Sequence, residues 1–484
     1  MKRRSVLIAG ASCGLSACIN SDGRRIKPQD DSAIAWRKGF SGVSQAFKPV
    51  PLILKGHWPQ DAYGNFYRNG PARTERAGIV LRHWFEGDGM VHRFNIDKTG
   101  VTHQSQFVAT EKFLKEEAAG RFIYPSAATI IPGAYPPRNN DSLNSANTAL
   151  LPWQGKLLAL WEAGSAYEID SVSLATLGVK TWRQDCAHVP FSAHPLKERD
   201  GSLWNFGYLP YLDKGKLALY RLDYRNLMVQ MGVIDLQQNG YIHACAHTQD
   251  YLIFYLPPCL YEEGQTYLDS FKWRPIMGSK ILLVNKRDLT PRWLDAPPGF
   301  VFHFANAWQT GSSIHVALAL YQNADLMLNA MAQLRAGPKP SIDHAVLTYL
   351  KISLNTGSVA LDSTEINLEF PSVDLTAEGA TTIYGTHAAS ARQHFLHDSL
   401  VAVHLEQGLI SRFCFGADTI VEEPVVLKTT QNTYLMATYF NMARQYSALT
   451  LFNAKRLADG PIAVAQLPYV IPLGFHGCFI PASA

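Results

Sequence analysis

The chain has 484 residues, 47% of them hydrophobic and 17% charged, a composition that can bury a large core and that excludes a disordered chain. Lys and Arg number 44 against 40 Asp and Glu, a formal charge of +4, so there is no electrostatic case for nucleic acid and an apolar or small neutral substrate fits. The 35 Gly and 27 Pro follow no Gly-x-y period, which excludes collagen and implies many turns.

Residues 1–17 read as a signal peptide. Residues 1–4 are basic and 5–15 form a small apolar run, too short to span a bilayer. Leu15-Ser16-Ala17-Cys18 resembles a bacterial lipoprotein cleavage box, and Arg3-Arg4 resembles part of a twin-arginine signal. The expectation is export to the periplasmic side of a bacterial membrane as a lipoprotein acylated at Cys18; the alternative is a cytoplasmic chain with a frayed N-terminus. Residues 18–36 are polar and read as a tether, and 37–484 as one domain. Beyond the leader no run reaches about 18 uninterrupted apolar residues, so nothing else is expected to span a membrane.

Seven cysteines stand at 13, 18, 186, 245, 259, 414 and 478, scattered and without a CxxC, which argues against a disulfide framework or a cysteine zinc site. Cys245 and Cys478 read as small packing residues.

From there on, apolar and β-branched runs of 4–8 residues recur between Gly, Pro, Asn and Asp: 156–161, 203–208, 217–222, 251–255, 280–284, 313–320, 346–352, 400–404 and 448–452. Their spacing predicts antiparallel sheet and not βαβ units. Helical patterns are rare; residues 325–334 (DLMLNAMAQL) carry the best one. An all-β chain this long must close on itself to avoid long exposed edges, and seven propeller blades at roughly 60 residues each use up the length.

Four histidines, His194, His243, His303 and His476, sit in or beside apolar strand-like runs (FSAHP, YIHACAH, FVFHFANAW, PLGFHGCF). The intervals are 49, 60 and 173 residues, the last about three times 58. Residues whole blades apart occupy equivalent positions and would meet near a propeller axis. Four converging imidazoles would bind a metal of the iron, zinc, copper or nickel kind. Taken singly, each is a core or turn histidine. His394, His397 and His404 read as surface strand residues. His243 and His247 share a strand face, but only one can point into a common site.

Tyr67-Arg68-Asn69-Gly70-Pro71 and the run His83-Trp84-Phe85-Glu86-Gly87-Asp88-Gly89-Met90-Val91-His92 resemble the N-terminal signature of the carotenoid cleavage oxygenases, a family that includes stilbene-cleaving oxygenases and a retinoid isomerase. Ser192-Ala193-His194-Pro195, the run from Gly299 through His303 to Ala307, and Gly474-Phe475-His476-Gly477 resemble its iron-ligand segments. The resemblance runs from about residue 50 to the C-terminus. It implies an all-β, seven-bladed propeller with a few helices and loops capping an axial site, where one Fe(2+) per chain is held by His194, His243, His303 and His476. Around His243 the chain has Ala244-Cys245 where the family has Asp-Phe. The resemblance also implies that Glu162, Glu369 and Glu423 back the ligands, as carboxylates that fix ring orientation do, and that Thr148 crowds one open coordination position.

Four histidines leave two positions of an octahedron, one of them for O2. The chain has no GxSxG, Walker loop or GxGxxG after a strand, so the metal would carry the chemistry. The expected reaction is cleavage of a carotenoid or apocarotenoid C=C bond to two carbonyls, with no side-chain general base. The alternatives are a phenolic stilbene as substrate, with Lys112 as a candidate clamp that also reads as a surface charge; isomerisation without cleavage; and a ligand-binding propeller without catalysis. The uncharged segment 124–135 (YPSAATIIPGAY) either packs over the propeller top or rims a tunnel mouth against the membrane surface, with 326–334 as a second wall.

Overall fold

The computed structural model describes residues 34–374, 381–389 and 396–482. Residues 1–33, which hold the expected signal peptide and most of the expected tether, and His394 lie outside the described residues. Trp36, placed in the tether by the sequence, is 5% exposed and packs edge-on against Phe40 of the short helix Arg37–Phe40. An indole gains more from the core than a polar tether would. Among the described residues no helix is long and apolar enough to cross a membrane.

Seven antiparallel sheets form the blades of a β-propeller. In the first blade Gly64–Arg73, Asp88–Asp97 and Gly100–Phe107 are joined by Val50–Pro51 on one side and Gly477–Pro481 on the other. The next five blades run in chain order, from Ala149–Trp153 to Thr176–Val179, Leu196–Lys197 to Met228–Asp235, Ala246–His247 to Pro291–Ala296, Phe300–Thr310 to Val359–Asn367, and Glu369–Val373 to Gly408–Cys414. The seventh is built on Thr433–Asn441 and Tyr446–Asn453 and ends with Ile53–Gly56 from the start of the chain. First strands of neighbouring sheets touch one another around the axis. The ring is closed twice: Gly477 pairs opposite Arg68, and Leu54 opposite Ala465. Both closures hide edges that would otherwise present unpaired backbone groups.

All nine runs singled out in the sequence are strands, each within two residues of its expected ends. The middle strands read as continuous apolar runs because stacked blades cover both their faces; Leu217, Leu219 and Tyr220 of Lys216–Leu222 are each no more than 2% exposed. Residues 325–334 do wind, as a π-turn at Leu326–Ala330 running into Met331–Gln333. A nine-residue helix, Glu111–Ala119, was not among the expectations, although its ends carry clear signals. Thr110 Oγ1 accepts from Phe113 N at 3.1 Å, and Gly120 closes the helix at φ 64°.

Candidate metal centre

The blade order explains the histidine intervals. His194 and His243 directly precede the first strands of blades three and four, His303 lies on the first strand of blade five, and His476 precedes the strand that closes blade one. Each step is therefore one blade, one blade and three blades. One ligand atom from each of the four lies within 4.8 Å of the others. His194 Nε2 is 2.8 Å from His243 Nε2, and His303 Nε2 is 3.3 Å from His476 Nε2.

The opposite edges of three rings are held by carboxylates. His303 Nδ1 donates to Glu369 Oε2 at 2.6 Å, His476 Nδ1 to Glu423 Oε1 at 2.8 Å, and His243 Nδ1 to Glu162 Oε1. A neutral imidazole that donates from Nδ1 has a bare lone pair on Nε2. Two such lone pairs 3.3 Å apart, on His303 and His476, can be reconciled by a shared proton or by a metal cation. The donor set is thus that of a transition-metal site, with three carboxylates placed to orient the ligands and offset a 2+ charge. Among the described residues, His194 has no carboxylate partner. Burial, and then the three neighbouring histidines, push its pKa well below the usual imidazole range and keep it neutral.

The carboxylates are themselves held. Burial disfavours the charge on Glu369, but His303, Phe370 N and Tyr321 Oη outweigh it and lower its pKa. Burial likewise opposes ionisation of Glu423, and His476, Arg68 and Gly477 N overcome it. Arg68 is fully buried and spans Glu423 Oε2 at 3.1 Å and Glu423 O at 2.7 Å. Tyr241 Oη donates to Glu162 at 2.9 Å. Phe370 takes φ 49°, which lets its N–H reach the Glu369 carboxylate and sets its ring 5.1 Å from His303. Arg68, Tyr241 and Phe370 stand inside or beside sequence motifs already noted; Tyr321 carries no local signal.

His243, His303 and His476 open onto a cavity of 830 Å³ whose wall is mostly apolar. Thr148 lines it, its carbonyl accepting from His476 N at 3.2 Å. The run from His83 to Gly87 ties the two other walls together. Glu86 accepts from Ala128 N, Thr129 N and Thr129 Oγ1, each at 2.7 Å, and from His83 N at 2.9 Å. His83 Nδ1 accepts from Phe85 N, so its Nε2 donates to Met327 O at 2.8 Å. Segment 124–135 thereby lines the cavity, and so do Leu326, Met331 and Leu334. The segment is divided: Ile131 is buried against Leu81 and Phe122, whereas Ile130 is 62% exposed.

Two sequence expectations need correction. Lys112 is no surface charge: it is 6% exposed and donates to Asp88 Oδ1 at 2.7 Å and Glu116 Oε2 at 2.9 Å, because the helix Glu111–Ala119 turns that face inward. His397 is no surface residue: it lines the cavity and packs against His344, with ring centroids 5.2 Å apart. His404 is half-buried at the end of strand Ser399–His404. His247 turns away from the histidine cluster, toward Lys286 and Glu198. Cys245 is buried in the main core cluster.

Comparison with known proteins agrees with this architecture. The family described as retinal pigment epithelial membrane protein (RPE65) matches residues 40–481. The chain is similar to apocarotenoid-15,15'-oxygenase of Synechocystis, at 26% identity over 94% of this chain and 96% of that one. It is also similar to isoeugenol monooxygenase of Pseudomonas nitroreducens, at 24% identity over 89% and 94%. A carotenoid 9,10(9',10')-cleavage dioxygenase of Crocus sativus is 26% identical over 91% and 88%. Among solved structures, cobalt-substituted Synechocystis apocarotenoid oxygenase superposes with a TM-score of 0.82 at 25% identity, covering 93% of this chain and 98% of that one. The chain belongs to the RPE65 family, the carotenoid cleavage oxygenases.

Proposed function

We propose that the protein is an Fe(II) dioxygenase that splits a C=C bond of a carotenoid or apocarotenoid into two carbonyl products. The observation that carries this reading is the opening of a four-histidine, carboxylate-backed cluster into a mostly apolar cavity of 830 Å³. That volume lies within the range of about 300–1,000 Å³ that small-molecule sites occupy. His194, His243, His303 and His476 would hold the ion, and activation of O2 is the chemistry it supplies when bound.

The rest falls to the chain's own residues. One O2 is consumed and one oxygen ends on each former alkene carbon, so no proton is gained or lost. The wall accords with that balance: Glu162, Glu369 and Glu423 are turned to their histidines, and Lys112 is matched by Asp88 and Glu116. Phe302 packs against His243 and Phe370 against His303, and with Phe475 on the cavity wall beside His476 they limit water there. Thr148 narrows the approach beside His476. The exposed Ile130 at the rim suits a substrate drawn from a bilayer, with the chain exported and anchored at Cys18.

A phenolic alkene, stilbene or phenylpropene, is the second reading; His344 and His397 on the wall favour it. The experiment pairs iron analysis with aerobic incubation on apocarotenals and on hydroxystilbenes, scoring carbonyl fragments by mass. One iron per chain and two fragments are expected, and His303→Ala should lose both. Iron and activity retained in His303→Ala would overturn the ligand assignment.

A further inference from the structure

Most polar groups on the cavity wall are already engaged. Glu86 takes four donors, Glu422 accepts from Gly474 N at 2.6 Å, and Lys112 faces two carboxylates. His397 is different. Its Nδ1 lies 2.6 Å from Thr386 Oγ1, and that hydroxyl donates to the main-chain carbonyl of Glu369 at 3.0 Å. A carbonyl oxygen only accepts, so the single hydroxyl proton of Thr386 goes to Glu369. The proton in the 2.6 Å contact must then be the one on His397 Nδ1.

That assignment fixes the ring. Burial, with His344 and His387 nearby, holds the pKa of His397 well below the usual range, so the imidazole is neutral. A neutral ring protonated at Nδ1 carries a lone pair on Nε2. Among the described residues nothing bonds Nε2, and the ring forms part of the cavity wall beside Leu396 and Ile420. A carbonyl or carboxylate placed there would meet a lone pair with a lone pair. An O–H group would not.

We infer that His397 Nε2 accepts a hydrogen bond from a hydroxyl group of the substrate, so the preferred alkenes are alcohols or phenols and not their ethers. This deepens the cleavage reading above and rests on it for the alkene. Thr386 is the positioning residue: its bond to Glu369 O sets which nitrogen of His397 accepts. The same strand pair carries Glu369, which holds His303, so the hydroxyl is read on the wall that supports the metal centre.

The test uses the purified holoenzyme and two matched pairs: 4-hydroxystilbene with 4-methoxystilbene, and a 3-hydroxy-β-apocarotenal with its 3-methyl ether. Binding is read from quenching of Trp84 and Trp161, which line the cavity, and kcat/KM is measured on the same pairs. In at least one pair the free hydroxyl should bind about tenfold or more tightly, because an ether leaves Nε2 buried without a donor. His397→Phe should bring that ratio to about one while iron content is kept. Thr386→Val, which frees the tautomer, should lower the ratio as well and decides the matter if His397→Phe does not fold. A wild-type ratio near one in both pairs, or a ratio that survives in His397→Phe, overturns the inference. Loss of the binding preference in His397→Phe, with no cleavage of any ligand by wild type, would sustain the hydroxyl site and remove the cleavage reading instead.

Discussion

The histidine rings are oriented from behind. Glu369 illustrates how: one carboxylate oxygen accepts from His303 Nδ1 and the other from Tyr321 Oη at 3.0 Å. Glu369→Gln keeps the size but can present its amide N–H to the ring, which releases the Nδ1–H tautomer. Activity or metal affinity should fall about 10–100-fold, with the fold retained by circular dichroism; a variant of unchanged activity would show that the ring needs no such partner. Glu198 offers a separate test, in pH. Burial raises its pKa, but His247 and Lys286 prevail and bring it down to about 2. A carboxylate with a lowered folded pKa adds stability above its ordinary pKa near 4.5 and loses it as pH falls toward 2. Denaturant midpoints should therefore drop across that window, and in Glu198→Gln that part of the drop should be absent. The residue scale was also the least legible in the sequence. His397 and His404 lie in the same stretch of chain, but His397 stands before the strand Ser399–His404 and lines the cavity, whereas His404 ends the strand. Lys112 looked exposed because its partner Asp88 lies 24 residues away in sequence.

At the scale of elements, the run from His83 to Gly87 is a strap. Through Glu86 it holds segment 124–135, and through His83 it holds the turn at Leu326–Ala330. Each buried N–H that Glu86 satisfies would otherwise cost about 1–3 kcal/mol. The two isoleucines of the segment should accordingly behave differently. Ile130→Ser should leave melting temperature and iron content unchanged and slow turnover of liposome-borne substrate. Ile131→Ser should destabilise the fold by about 3 kcal/mol, since it opens a buried apolar site to a hydroxyl. Equal turnover of liposome-borne and detergent-borne substrate by Ile130→Ser would remove the membrane role of the rim. The apolar, proline-bearing character of this segment was visible in the sequence. Its division into one buried and one exposed isoleucine was not, because that depends on Leu81 and Phe122.

For the whole molecule, the candidate metal centre draws its histidines from four blades and its carboxylates from three others, so all seven blades meet at one point. Removing a bound metal should lower the melting temperature by several degrees, restored by added Fe(II), because anything that binds only the folded state stabilises it by mass action. An unchanged melting temperature in chelated protein, with iron loss verified, would show that the blades hold without the ion. By itself the sequence determined the class of fold and the four axial histidines. Apolar runs bounded by turn residues register the strands, and a repeating blade turns chain interval into angular position, so the spacing of His194, His243, His303 and His476 fits one axis and the family resemblance picks them out as a set. The tertiary structure decided what surrounds them. The cavity wall, the strap, the tautomer of His397 and the pairing of Lys112 arise where elements distant in sequence pack together, and such contacts leave no period in the chain to be read.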